Sequence, residues 1–360
     1  VSLMSFFSRL LSKDLPQSKI LAVLLLAILI GLVITPFAFP SAKTLNVAAK
    51  ILVFIVLVAS YDLLIGYTGI VSFAHTMFFG IGAYGIAIAS TRLGPSWSSL
   101  AIGTALALLV SLLLSLLIGL LSLRVRAIFY AMITLAIASA FLTLASQLSE
   151  FTGGEDGLTF KLPELLAPST QFLSAPVFGI TIDGKILSYY LVLCSALTLF
   201  LVMLRIVNSP FGRVLQAIRE NDFRAEAIGY KTVIYRTLSN VLAAGFATLA
   251  GCLLAIWLRY NGPDTSLSFE IMLDVLLIVV IGGMGTLYGA VIGSVLFILA
   301  QSYLQDLMKL ASEATQSLPI VSALLSPDRW LLWLGILFVL SVYYFPAGVV
   351  GKLRSRAQPS

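Results

Sequence analysis

The chain has 360 residues, of which 59% are hydrophobic and only 11% charged, and its mean hydropathy is +1.04. That balance excludes an ordinary soluble domain, and continuous apolar runs rich in Leu, Ile, Ala and Gly predict an all-α, polytopic helical membrane protein rather than a β-barrel of alternating short strands. The net charge of +6 reads as topology information; two cysteines inside apolar runs exclude a disulfide framework, and a single histidine excludes a His-based metal cluster.

In chain order, residues 1–19 form a short basic lead carrying Arg9, Lys13 and Lys19. The first apolar run, Ile20 to Pro40, is long for a signal-peptide core and lacks a clean cleavage site, so it reads as a retained anchor. Further runs follow at 51–66, 70–91, 97–123, 127–148, 188–205, 237–258, 271–284, 288–305 and 330–346, giving roughly ten membrane segments. Most of the 22 Lys and Arg residues fall on one side if both termini are cytoplasmic, as the positive-inside rule demands. The expected organisation is a cytoplasmic lead at 1–19, a membrane domain at 20–346 and a cytoplasmic tail at 347–360. Loops at 149–187 and 306–329 lie outside and one at 206–236 lies inside.

Two runs, 51–66 and 271–284, are shorter than the roughly 20 residues needed to cross hydrocarbon, which predicts broken or short helices. Each carries an acid, Asp62 or Asp274, and enters glycine-rich sequence: Gly66-Tyr67-Thr68-Gly69 in one, Gly282-Gly283-Met284-Gly285 in the other. Short, glycine-interrupted segments in two halves of a chain mark a transport pathway, and tight turns between ordinary helices are the alternative. An acid inside the membrane must face protein or water, so both have either a pathway role or a capping role. His75, in S-F-A-H-T-M-F-F-G-I-G-A-Y, is expected to hydrogen-bond a neighbouring helix. Gly285, Gly289 and Gly293 at spacing i, i+4, i+8 predict a helix face for close packing.

Residues 205–236 are the longest polar passage and hold six of the 22 Lys and Arg residues. Phe211 to Gly229 reads as one helix, with Pro210 suited to its start and Gly229 to its stop. Arg213, Arg219 and Arg224 alternate with Glu220, Asp222 and Glu226 beside an apolar stripe of Phe211, Val214, Leu215, Ile218 and Ile228. Mixed charge argues against a purely lipid-binding face and for docking into a groove on a soluble partner. Gly179 to Ile186 nearly matches a phosphate-binding loop, but Ile186 stands where the Mg²⁺-binding hydroxyl belongs. The sequence contains no credible catalytic set.

The segment A-I-R-E-N-D-F-R-A-E-A-I-G at 217–229 resembles the coupling-loop motif of permease subunits in ABC importers. The stretches at 63–84 and 281–293 resemble two further signatures of branched-chain amino acid permeases of the LivM type. The resemblance implies a non-catalytic permease of the bacterial cytoplasmic membrane that pairs with a second, homologous permease, two cytoplasmic ATPase subunits and an external solute-binding protein. The chain itself would bind no cofactor, since ATP and Mg²⁺ would be used by the ATPases. By position, Arg219, Glu220, Asn221, Ala225, Glu226, Ala227 and Gly229, with Arg213 on the same loop, would dock in the ATPase cleft. Gly66, Tyr67, Gly69, Ser72, His75, Gly282, Gly283 and Gly285 would line or shape the translocation path, to which the residue reading adds the two membrane acids, Asp62 and Asp274. Urea or short-chain amides are the alternative cargo, and an ion-driven secondary transporter is the alternative mechanism.

Overall fold

The computed structural model describes residues 18–39, 41–122, 127–172, 182–315, 321, 324–345 and 348–355. Arg9, Lys13, Arg124, Arg126, Gly179 and the end of the tail lie outside the described residues. The helices in chain order are α1 (Lys19–Ala38), α2 (Ala42–Thr68), α3 (His75–Leu93), α4 (Trp97–Ser122), α5 (Ala127–Gln147), α6 (Gly184–Val207), α7 (Pro210–Glu220) and α8 (Asp222–Ala227). They continue with α9 (Thr232–Leu258), α10 (Phe269–Gly282), α11 (Leu287–Ala314), α12 (Trp330–Tyr344) and α13 (Gly348–Ser355). Among the described residues, nine helical stretches are long and apolar enough to cross a membrane. The more polar α3, buried along most of its length, is not among them, so nine of the roughly ten expected segments qualify by length and hydropathy.

Burial sorts these helices into a centre and a rim. The most apolar window of α2 is 89% buried, whereas that of α1 is only 11% buried. Apolarity alone does not sort them, since α1 is more apolar than α2; α2 is central because α9, α11, α6 and α10 pack around it. Leu26 and Ile30 on α1, Leu113 and Leu117 on α4, and Leu331 and Val339 on α12 face outward, as lipid contact requires.

The run at 51–66 is not a short helix. It belongs to the 27-residue α2, which extends through Lys43 and Lys50 because other segments meet both charges. Lys43 Nζ lies 2.5 Å from the Asp306 carboxylate, and Lys50 Nζ donates to Gln301 Oε1 at 2.9 Å. Correspondingly, α11 continues to Ala314, well into the expected 306–329 insert. The second short run is short in the structure too: α10 has 14 residues, preceded by the single turn Pro263–Ser266.

Polar side chains tie the helices where backbone groups lack partners. Pro36, inside α1, has no N–H to offer the Leu32 carbonyl one turn back. The Tyr189 hydroxyl of α6 takes its place at 2.6 Å, and Tyr190 donates to the next carbonyl, that of Val33, at 2.8 Å. Buried Asn240 of α9 donates to the Ser115 carbonyl of α4 and accepts from the Tyr130 hydroxyl of α5. Small residues do the rest. Gly289 and Gly293 let α11 lie against Gly282 and Ile278 of α10, while Gly285 stands before that helix rather than on its face. In the 149–187 loop, strand β1 (Leu158–Thr159) pairs antiparallel with β2 (Tyr260–Asn261), Leu158 opposite Asn261.

Candidate functional site

The two glycine signatures, far apart in sequence, meet at one end of the bundle. Helix α2 stops where Gly69 turns left-handed, at φ 71°. Helices α10 and α11 are joined by a hairpin in which Gly283 and Gly285 both hold positive φ, 113° and 81°. The Gly285 N–H donates to Asp62 Oδ1 at 2.9 Å. A Cβ on Gly66 would overlap both the Asp62 carboxylate and the Gly285 nitrogen, so glycine there sets how closely the hairpin seats on α2. Asp62 is buried, and its second oxygen, Oδ2, has no hydrogen-bond partner.

The polar loop reaches this junction. Ser209 caps α7 and Pro210 opens it, while Leu215 and Ile218 are buried on its inner side. Next to Ile218 in sequence, Arg219 donates through Nη1 to the Gly66 carbonyl. That nitrogen would also lie 2.9 Å from a Cβ on Gly285. One guanidinium therefore covers the place where α2 and the glycine hairpin touch.

The loop is not the single helix expected from Phe211 to Gly229. Asn221 is extended, at φ −157° and ψ 100°, and its side chain accepts from the Arg224 N–H at 2.9 Å, ending α7 and capping α8. Asparagine is a strong cap, so the break follows from its side chain competing for backbone donors. Gly229 ends the second helix at φ 98°, as the sequence predicts. The pair is fastened to α9 by Thr232 donating to Glu226 Oε1 (2.6 Å) and by Arg236 meeting Asp222 at 2.9 Å. Phe211 stacks on Tyr235 with centroids 5.9 Å apart.

The outer face of the loop carries Arg213, Glu220, Asn221, Arg224, Glu226, Ala227 and Gly229, all exposed. Ala225 is buried, so its side chain packs the loop instead of meeting a partner. Two apolar residues stand out of this face: Phe223, 83% exposed, and Ile228, 72% exposed. Phe223 escaped the sequence reading, although it is the only aromatic residue between Phe211 and Tyr230.

The other expected pathway residues divide. Tyr67 and Ser72 are buried beside the junction in sequence. His75 is buried and bonded through Nε2 to Ser60 Oγ at 2.8 Å, with the Tyr61 ring 5.1 Å away. It joins α3 to α2, the inter-helix role its surroundings predict. Asp274 is not brought to Asp62. It stands two turns before Gly282 on α10 and accepts from Gln301 Nε2 at 3.3 Å. No group of three or more His, Cys, Asp or Glu side chains able to hold a metal ion occurs among the described residues.

A multi-pass apolar bundle, with a polar loop tied by one arginine to the glycine-rich junction of its helices, has the build of a membrane permease. The family described as branched-chain amino acid transport system, permease component, matches residues 43–342. The high-affinity branched-chain amino acid transport system permease protein LivM of Salmonella typhimurium strain LT2 is 27% identical over 297 residues, 78% of this chain and 68% of that protein. LivM of Escherichia coli K12 is 26% identical over the same length. A probable LivM of Methanocaldococcus jannaschii is 26% identical over 216 residues, 60% of this chain and 58% of that one. No solved structure matches the chain significantly. The chain belongs to the branched-chain amino acid transport permease family, and it is a multi-pass protein of the bacterial inner membrane.

Proposed function

We propose that this chain is the permease subunit of an ATP-driven importer that moves branched-chain or other neutral amino acids, with ATP and Mg²⁺ used by separate ATPase subunits. Its other partners are a second, homologous permease and an external solute-binding protein. The chain itself carries out no bond chemistry. The names of its relatives support the cargo, and the Arg219–Gly66 contact supports the coupling.

The exposed face from Arg213 to Gly229 is the surface on which the ATPase docks. When the ATPase dimer closes on ATP, α7 and α8 move with it, and Arg219 transmits that motion to Gly66, Asp62 and Gly285. Two access states interconvert only if ATP binding favours one over the other, so the loop must be held differently in each. The test is uptake of labelled leucine by the assembled transporter in proteoliposomes with ATP inside or outside. Uptake that ignores ATP but follows an imposed ion gradient would replace this reading with a secondary transporter.

A further inference from the structure

On α2, every residue from Leu45 to Leu64 is buried except Asn46 and Lys50. Asn46 accepts from the Trp257 indole at 3.2 Å, and Lys50 is half-buried, its Nζ 5.4 Å from the centroid of the Phe54 ring. Lys50 stands sixteen residues before Gly66, about 24 Å along the helix at 1.5 Å per residue, and so lies toward the end of the bundle opposite the polar loop. A charge at that depth within a bilayer must face protein or a water-filled path.

What Lys50 faces is a polar group assembled from three helices. Its ammonium donates to Gln301 Oε1 of α11 at 2.9 Å, and Gln301 Nε2 in turn donates to Asp274 Oδ2 of α10 at 3.3 Å. The two opposite charges do not close on each other; an amide stands between them, its oxygen toward the cation and its nitrogen toward the anion. That is the pattern of a receptor for a zwitterion, with an α-carboxylate in place of the amide oxygen and an α-ammonium in place of the amide N–H₂. Nearby charges reinforce the polarity. Glu270, one turn before Asp274, adds a second anion on the ammonium side, while Lys43 is neutralised by Asp306 further along the α2–α11 seam.

We infer that Lys50, Gln301 and Asp274 form an entry site for α-amino acids, Lys50 taking the carboxylate, Asp274 the ammonium, and Gln301 acting as the displaceable bridge. This rests on the amino acid permease reading, so the site and the reading are tested by separate measurements. The full-length chain in nanodiscs is titrated with labelled leucine at micromolar to millimolar concentrations and competed with leucine amide and with 4-methylpentanoate. Each competitor lacks one of the two charges and is expected to bind about tenfold or more weakly than leucine. Lys50→Met should weaken leucine while leaving the amide, which has no carboxylate to lose, nearly unchanged. Asp274→Asn should spare 4-methylpentanoate in the same way, and Lys50→Arg should retain leucine binding. A helix-pairing role alone would lower all ligands together. Equal competition by all three compounds, no leucine binding to the wild-type chain, or leucine binding unaltered in both neutral variants would overturn the site. Uptake by the assembled wild-type transporter is scored apart; its absence would count against the permease reading, not against the charge pattern.

Discussion

The guanidinium of Arg219, on the polar-loop helix α7, donates a hydrogen bond to the carbonyl oxygen of Gly66, within α2. The contact joins the loop that reads as the docking element to the glycine-rich junction that reads as part of the path. A hydrogen bond from a charged donor is worth about 1.5–3 kcal/mol. Arg219→Ala should therefore reduce substrate-stimulated ATP hydrolysis by the assembled transporter about tenfold or more, with basal hydrolysis by the ATPases unchanged. Arg219→Lys should fall between, because an ammonium can still donate to the Gly66 carbonyl but lacks the planar guanidinium that lies over Gly285. Full stimulation in the alanine variant would remove Arg219 from the coupling route.

Gly66→Ala tests the other side of the same contact. The new methyl group would overlap both the Asp62 carboxylate and the Gly285 nitrogen, and neither is the free end of a flexible chain. The hairpin must shift, breaking the Gly285–Asp62 bond and leaving a buried carboxylate with fewer partners. The expected loss is about 2 kcal/mol or more in stability, read as a lower melting temperature in detergent. Gly31→Ala is the matched control, because nothing lies within 4 Å of its Cβ position. In a helix interior that change should be neutral or stabilising by about 0.5–1 kcal/mol. Equal melting temperatures for the two variants would contradict the close seating at Gly66.

The reach of the sequence follows from which of these interactions are local. The apolar runs were legible because hydropathy is a property of neighbours. The length of α2 was not, because Lys43 and Lys50 break the run and their partners, Asp306 and Gln301, lie more than 250 positions away. Both glycine signatures were visible, yet nothing in either announces that Gly285 donates to Asp62 across 223 positions. The break at Asn221 was legible in principle, since asparagine prefers caps. The helix formers around it, Gln216-Ala217-Ile218-Arg219-Glu220 and Arg224-Ala225-Glu226-Ala227, masked that signal.

Tyr189→Phe isolates the tie between α1 and α6. In wild type the Tyr189 hydroxyl satisfies the Leu32 carbonyl that Pro36 leaves without a helical donor. Phenylalanine keeps the ring packing but strands that carbonyl in an apolar setting, at a cost of about 1–3 kcal/mol. Adding Pro36→Ala should recover most of the loss, because alanine restores the missing N–H. A double variant no more stable than Tyr189→Phe would show that the hydroxyl acts on something other than the proline gap.

Phe223 gives the sharpest separation of binding from folding. Its side chain is 83% exposed at the start of α8, beside charged residues and with Ile228 on the same outer face. An aromatic held in solvent contributes little to the fold, so Phe223→Ala should change stability by no more than about 0.5 kcal/mol. Where a partner surface covers it, a central aromatic carries about 2 kcal/mol or more, some 30-fold in Kd. If the loop docks in the ATPase cleft, the variant should fold and reach the membrane normally, yet lose most of the ATPase on affinity purification. Phe211→Ala is expected to do the reverse, since Phe211 is half-buried and stacked on Tyr235. It should destabilise the loop while leaving the outer face chemically intact. Retention of the ATPase by Phe223→Ala at wild-type affinity would move the docking surface away from α8.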